Sequence, residues 1–195
     1  MIEKGQTLVN PVTGEQMTFV ETAAETGGER VVIELRADPG GAVAAAHLHP
    51  SQWETFTVVS GTLGAKVAGH TAELGPGQTL GVAPGVSHTW WNAGDGEVVF
   101  RCEIRPALQF ESLIETMFSL AADGKTNGQG MPNPFRLAVI AKAHFDTVRL
   151  PVVPAWMQKV ALAMGAPLGR AMGYSPTYTR EPQAQSALVV AHAQA

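Results

Sequence analysis

Three histidines and one glutamate in the first half of the chain are the side chains best suited to chemistry. His47 and His49 are separated by one residue, Glu54 follows shortly after them, and His88 lies further along. Imidazole binds iron, zinc, nickel, copper and manganese alike, and the carboxylate adds a hard oxygen donor. The four residues therefore predict a site for a divalent metal ion, and their types do not choose among these metals.

Strand periodicity decides whether the first three of these side chains can meet. His47 and His49 are two positions apart, so on an extended strand they point to the same side. Glu54 shares its parity with Phe56 and Val58. We therefore expect Glu54, Phe56 and Val58 to point together into the interior.

The third histidine lies on a later predicted strand, where His88, Trp90 and Asn92 share one face. If the two strands face each other across an interior, three imidazoles and one carboxylate converge. Four neighbouring residues are then candidates to line the pocket: Phe56, Val58, Trp90 and Asn92. An ordinary hydrophobic core would explain the apolar members of this set equally well.

Short β-rich segments separated by Gly/Pro turns must position these residues. After an extended piece at 7–14, strands are predicted at 17–23, 30–37, 54–60, 63–68, 71–74, 79–83, 88–92 and 97–105. Many short strands with few residues between them indicate a sandwich or barrel. The sequence thus predicts a β domain over residues 1–106.

Beyond residue 106 the apolar spacing changes to that of helices. Helices are predicted at 108–121, 134–147 and from 154 to about 163. On the second, the buried face is expected to comprise Leu137, Ala138, Ala141 and Phe145. The chain therefore divides into a β domain, a helical extension at 107–174 and a flexible tail at 175–195.

Composition restricts the classes of partner. The 195 residues are 45% hydrophobic and carry a formal net charge of −4, with no Lys/Arg cluster, which disfavours nucleic-acid binding. Cys102 is the single cysteine, so an oxidising compartment is not required. The N-terminus lacks a signal-peptide pattern, and the longest apolar run, Val160–Gly169, is too short to span a bilayer. We expect a cytoplasmic protein without a membrane partner.

Glycines bound the first pair of histidines at fixed distances. Gly41 precedes His47 by five intervening residues, one residue separates His47 from His49, four separate His49 from Glu54, and six more lead to Gly61. This spacing is that of the first motif of the cupin family. The chain resembles a cupin in this segment without deviation.

The second cupin motif is also matched, with one departure. Gly77, Gly85, His88 and Asn92 stand at the offsets of that motif. The proline, which the motif places one residue earlier, is here Pro84. The displaced proline affects the turn before His88 and leaves the spacing of the ligands intact.

The resemblance implies a mainly β fold, a jelly-roll β-barrel followed by a C-terminal α-helical extension. It further implies a metal ion held inside by His47, His49, Glu54 and His88. A four-ligand site with open metal positions favours a dioxygenase-like oxidoreductase acting on a small organic substrate, with Glu54 as the candidate catalytic base. A metal-dependent isomerase, epimerase or lyase is the alternative, as is a non-catalytic small-molecule-binding protein.

Other conspicuous residues have simpler interpretations. His70 is expected in a solvated turn, His144 on a helix surface or in satisfied packing, and Cys102 as a small apolar residue of the barrel wall. Trp53 and Trp91 should face outward, covered by the helices or by a second subunit. With the apolar helices, they predict a homodimer.

The helical extension itself allows several interpretations. It could be a lid, a dimerisation arm or a layer packed over the barrel. A membrane-surface role rests only on Lys159 and Arg170, which flank the run Val160–Gly169. Packing on the parent or a neighbouring barrel is the default expectation.

Overall fold

A computed structural model describes residues 2–43 and 45–180 of the chain. Within this range nine strands precede three helices, as the sequence predicts. The strands are β1 (Thr7–Asn10), β2 (Glu15–Glu21), β3 (Val31–Ala37), β4 (Trp53–Ser60), β5 (Leu63–Val67), β6 (His70–Leu74), β7 (Thr79–Val82), β8 (His88–Asn92) and β9 (Val98–Arg105). Most of the tail predicted to be flexible, residues 181–195, lies outside the described residues.

The strands form two antiparallel sheets. The larger sheet has the order β1-β2-β3-β9-β4-β7 and the smaller one the order β6-β5-β8. Strands far apart in sequence, such as β3 and β9, are direct neighbours, as the jelly-roll arrangement requires. The predicted jelly-roll β-barrel, followed by helices, is confirmed.

The segment before β4 extends the smaller sheet. His47 and His88 exchange both of their backbone hydrogen bonds, at 3.0 and 2.9 Å, and the Gly41 carbonyl accepts one from the Asn92 amide at 2.9 Å. The strand expected around His47 is therefore present only as isolated bridges. These bridges place two of the predicted metal ligands directly beside each other.

Alternating burial along the strands fills the space between the sheets. Glu54, Phe56 and Val58 are all buried on β4, as their shared parity predicts. The largest fully buried apolar side chains belong mainly to the strands of both sheets: Phe19, Ile33, Leu35, Phe56, Leu63, Phe100 and Ile104. The carboxylate of Glu54 thus lies in an apolar interior, where it requires partners.

Three helices follow the barrel, α1 (Phe110–Ala122), α2 (Pro134–Ala143) and α3 (Ala155–Ala171). The predicted α1 is present. The predicted end of α2 at residue 147 is wrong, because residues 144–147 form turns. Its expected buried face is only half-buried, with Ala138 next to Gly165 of α3, whereas the fully buried residues of α2 are Val139 and Ile140.

Helix α3 continues to Ala171, well past the end near residue 163 that the sequence predicts. A Cβ atom on Gly169 would lie 2.4 Å from the Phe135 carbonyl oxygen, and one on Gly165 would lie 3.1 Å from the Cβ of Ala138. Small residues therefore let α3 approach α2 closely, and this packing offsets the helix-breaking tendency of Gly165 and Pro167. None of the helices in the described ranges is long and apolar enough to cross a membrane.

A buried acid at the start of β2 is held by a single short bond. Glu15 is 2% exposed, and the Thr13 hydroxyl donates to its Oε2 at 2.5 Å. Burial raises the pKa of Glu15 to about 7, and the Thr13 hydrogen bond opposes this only in part. The folded chain therefore retains a proton that the unfolded chain releases near pH 4.5.

Replacing this acid with its neutral amide should stabilise the fold at high pH. Because the folded state binds the extra proton, the free energy of unfolding falls as pH rises from 4.5 through about 7. Glu15→Gln should therefore exceed the wild type by up to ~3 kcal/mol at about pH 8 and by little at about pH 4. Urea unfolding at both pH values measures the difference in the free energy of unfolding between the variant and the wild type. An equal difference at the two pH values would contradict its assignment to the proton on Glu15.

Candidate metal centre

The four predicted ligands come together at one point inside the barrel. One donor atom from each of His47, His49, Glu54 and His88 lies within 4.8 Å of the other three. His47 and His88 come from neighbouring segments of the smaller sheet, whereas Glu54 projects from β4 of the larger sheet. The chain therefore brings together all four residues that the sequence singles out.

Backbone carbonyls orient all three imidazole rings. Nδ1 of His47 donates to the Ala45 carbonyl at 2.9 Å, and Nδ1 of His88 donates to the Val86 carbonyl at 3.1 Å. Nδ1 of His49 donates to the carbonyl of Thr147, at 2.7 Å and 98 residues away. Since a carbonyl only accepts, each Nδ1 carries the proton and each Nε2 keeps its lone pair. This is the tautomer that a metal ligand needs.

The atoms left over are those that would hold an ion. Among the described residues, Nε2 of His49, Nε2 of His88 and Oε2 of Glu54 are buried without a hydrogen-bond partner. Oε2 lies 2.7 Å from Nε2 of His88 and 3.5 Å from Nε2 of His49, but neither contact has hydrogen-bond alignment. Buried polar atoms without partners are costly. The residues fit a divalent cation, which would satisfy all of these atoms at once.

The electrostatics of His47 and Glu54 favour the protonation states that bind metal, whereas His88 is shifted toward its protonated form. Burial lowers the pKa of His47 to about 4, assisted by the nearby His88 and His49 rings. Burial alone would raise the pKa of Glu54, but His88, His49 and His47 together outweigh it and lower that pKa to about 2. Burial likewise opposes the charged form of His88, yet Glu54 raises its pKa overall. At neutral pH the carboxylate is ionised and His47 is neutral.

A cysteine thiol holds the other oxygen of the carboxylate. Sγ of Cys102, on β9, donates to Oε1 of Glu54 at 3.1 Å inside the protein. Burial, followed by the Glu54 carboxylate, raises the pKa of Cys102 well above its usual value, so it stays a neutral donor. The sequence identified Cys102 only as wall packing. The contact assigns it a second task, which is to orient Oε2 of Glu54 toward the histidines.

The helical extension also reaches the cluster. Residues 144–149, here called the clamp segment, follow α2 and include the Thr147 carbonyl that binds His49. Within the same segment Arg149 exchanges two backbone hydrogen bonds with Leu48, at 3.0 and 2.9 Å. The Phe110 ring of α1 lies 6.1 Å from the His49 ring, centroid to centroid. No feature of the sequence pointed to these contacts, because they join segments about half a chain apart.

The predicted pocket residues occupy different environments. Phe56 lies beside the cluster, 6.3 Å from the His88 ring, while Trp90 packs edge-on against Phe100 at 5.0 Å. Val58 is buried in the core. The amide of Asn92 is occupied by backbone partners, donating to the Ala37 and Gly96 carbonyls and accepting from the Gly94 amide. Of the four, Phe56 is the one with a ring contact to a predicted ligand.

The remaining singled-out residues lie away from the cluster. His70 is exposed on β6, and His144 is buried, with Nδ1 donating to the Ile140 carbonyl and Nε2 lying 3.3 Å from Oγ of Ser112. Trp53 is exposed. Trp91 is half-buried because its indole lies over Gly64, where a Cβ would come within 2.3 Å of the ring. Trp91 is thus covered from within its own sheet.

The arrangement of sheets and side chains is that of a β-barrel protein with a candidate metal site inside. A family model, described as the cupin domain, matches residues 33–103, the part of the chain that holds all four predicted ligands. Residues 33–103 therefore match the cupin domain, which supports the cupin superfamily for this part of the chain. A search among curated proteins finds no significant match.

Several solved structures are similar to the barrel. A Klebsiella pneumoniae protein with a double-stranded β-helix domain is 25% identical, with 55% of this chain and 84% of that chain covered and a TM-score of 0.42. A predicted oxalate decarboxylase from Thermotoga maritima is 19% identical. The match covers 54% of this chain and 99% of that chain, with a TM-score of 0.47. KdgF from Halomonas sp. is 16% identical. The match covers 56% of this chain and 94% of that chain, with a TM-score of 0.48.

Removing the thiol of Cys102 should weaken metal binding. Cys102→Ala leaves Oε1 of Glu54 buried without a donor, so the carboxylate is no longer held with Oε2 toward the histidines. We expect the affinity for Mn²⁺ or Zn²⁺ to fall ~10–100-fold, whereas Cys102→Ser, which keeps a donor, should stay near the wild type. Titration calorimetry measures both. An unchanged affinity in the alanine variant would rule out the orienting role.

Loosening the clamp segment should weaken metal binding from a distance. Arg149→Pro removes the amide that donates to the Leu48 carbonyl, whereas Arg149→Ala keeps it. The proline variant should lose ~10-fold or more in metal affinity, and the alanine variant little. Conversely, added Zn²⁺ should slow hydrogen exchange at the Leu48 and Arg149 amides, because the coupling is reciprocal. Equal affinities together with unchanged exchange would show that the clamp segment is not coupled to the cluster.

Proposed function

We propose that this protein binds a divalent metal ion through His47, His49, Glu54 and His88 and oxidises a small organic substrate with dioxygen. One observation carries the metal-binding part. All three imidazoles have Nδ1 fixed on backbone carbonyls, and the buried donor atoms that remain point to a common centre. A bound redox-active ion, iron above all, would supply Lewis acidity and electrons for dioxygen chemistry.

The charge of the cluster favours a particular class of substrate. Three neutral imidazoles and one carboxylate balance only one of the two positive charges of a divalent ion. The site therefore favours an oxygen acid that ionises readily, such as an enol, a phenol or a hydroxy acid. His47 is the least buried of the four side chains, which supports substrate access from its side.

The surroundings of the cluster favour a dry site. His49, Glu54 and His88 are buried, and the rings of Phe56 and Phe110 lie next to two of the histidines. Apolar walls keep water from competing with a small substrate and strengthen the electrostatic interactions of the ligands. This environment suits a compact substrate more than a long polymer.

Glu54 is better suited to ligation than to proton transfer. A pKa of about 2 makes its carboxylate a weak base, and Cys102 already donates to Oε1. An efficient general base has a pKa near the working pH. The catalytic role expected of Glu54 remains a prediction, and its surroundings support the ligand role. A proton leaving the substrate would then need another acceptor.

The position of Cys102 favours a second candidate function. A thiol 3.1 Å from a ligand oxygen is an oxidisable group beside the centre, and chemistry without dioxygen would leave it undisturbed. The same four residues could hold zinc, nickel or manganese as a Lewis acid in an isomerase, epimerase or lyase. This candidate predicts turnover without oxygen.

Oxygen consumption by iron-loaded protein tests the first proposal. Wild-type protein, loaded anaerobically, should consume dioxygen with at least one member of a panel of enols, catechols and hydroxy acids. His88→Ala should retain less than ~10% of the bound iron and of this activity, because it removes a ligand. His70→Ala, which alters an exposed histidine on β6, is the matched control and should retain both.

Three outcomes contradict the proposal in different ways. Iron that binds the wild type and His88→Ala equally would exclude the four-residue site. Iron that binds through the site without oxygen consumption, combined with anaerobic turnover of the zinc, nickel or manganese form, would favour the second candidate. A ligand that co-purifies and is released unchanged would indicate a non-catalytic binding protein.

A further inference from the structure

Helix α3 presents large apolar side chains to solvent. Trp156 is 67% exposed and Met164 65% exposed, and the other exposed members of this face are Met157, Val160, Leu168 and Met172. These residues recur at helical spacing and form one continuous surface, here called the apolar face of α3. Single exposed apolar residues are ordinary, but a contiguous apolar surface usually marks an interaction site.

The apolar face of α3 is not an unfinished part of the core. The opposite side of α3 already packs on α2 through Gly165, Ala166 and Gly169. Apart from the half-buried Leu162, small residues lie inside and large apolar residues outside, the reverse of a helix that only covers a core. Within residues 2–43 and 45–180, nothing buries these outer side chains, which leaves them for an external partner.

Charge is distributed unevenly along the chain. Residues 1–133 carry fifteen acidic and seven basic side chains, whereas residues 134–180 carry one acidic and six basic ones. On α3, Lys159 and Arg170 are eleven positions apart, or about three turns, so they lie on the same edge of the apolar face. Among residues 2–43 and 45–180, no carboxylate lies within 4.0 Å of either. The apolar face therefore has a basic border.

A second copy of the chain fits this surface poorly. A helix of 17 residues is about 25 Å long, and one face of it offers well below the ~800 Å² per partner that a stable protein interface buries. Pairing two such faces would also bring two basic borders together. An anionic bilayer surface matches both properties, because headgroups attract the border and the acyl boundary accepts apolar side chains.

We propose that the apolar face of α3 binds an anionic lipid surface, with the helix lying parallel to the membrane. Trp156, at the first turn, is of the type that anchors in the headgroup region. The negative membrane repels the acidic barrel and attracts the basic border of α3. The charge distribution therefore orients the molecule with α3 toward the membrane. This function departs from the sequence expectation of no membrane partner, and it does not depend on the candidate metal site.

Vesicle co-sedimentation tests the proposal with the full-length protein. Phosphatidylcholine vesicles containing phosphatidylglycerol should bind the wild type at least ~10-fold more than phosphatidylcholine alone, and added salt should reduce the binding. Met164→Glu with Leu168→Glu should abolish binding. Lys159→Glu with Arg170→Glu should remove the preference for anionic vesicles. Lys66→Glu with Arg101→Glu, the same charge change on exposed barrel positions, should have little effect.

The opposite results are equally clear. Equal binding to neutral and anionic vesicles, or full binding by the Met164/Leu168 variant, would overturn the proposal. A third result would also overturn it: wild-type protein that does not bind vesicles and is a dimer by light scattering, while the Met164/Leu168 variant is a monomer. The apolar face of α3 would then join two copies of the chain. Circular dichroism and metal titration on each variant confirm that the fold and the cluster are intact.

Discussion

The hydrogen bond from Nδ1 of His49 to the Thr147 carbonyl joins the two parts of the protein at the candidate metal centre. His47 and His88 take their carbonyl partners from within two residues, so the barrel orients those rings by itself. His49 depends on a turn that follows α2. A ring without a fixed Nδ1 partner has no preferred tautomer, and its Nε2 is then only partly available to an ion. The helical extension is thus a component of the site.

The sequence predicts the jelly-roll strands and the convergence of the four side chains well. Strand alternation assigned the inward faces of β4 and β8, and the resemblance of the glycine-bounded motifs to those of cupins implied which histidines and which carboxylate converge. Cys102 shows the limit of this approach. Strand alternation correctly predicts that Cys102 is buried. Whether its thiol contacts an apolar side chain or the Glu54 carboxylate depends on interatomic distances, which periodicity does not give.

The helices were predicted less well for a physical reason. The predicted end of α3 near residue 163 lies before Gly165 and Pro167, and both residue types are unfavourable in an isolated helix. In the folded chain the same glycines permit a close approach to α2, and the contact offsets their cost. The rule that apolar residues face inward also failed here. On α3 the inward side consists mainly of small residues with the half-buried Leu162, and Trp156, Met164 and Leu168 remain outside.

The 98-residue separation between His49 and Thr147 has a consequence for the order of events during synthesis. The barrel strands emerge first, and all four predicted ligands with them, while the carbonyl that orients His49 is not yet made. Domains form as units as the chain leaves the ribosome, N-terminal parts first. A nascent barrel would therefore display a three-histidine cluster with one loose ring, and tight, selective metal uptake would begin only once the turn after α2 has closed onto it.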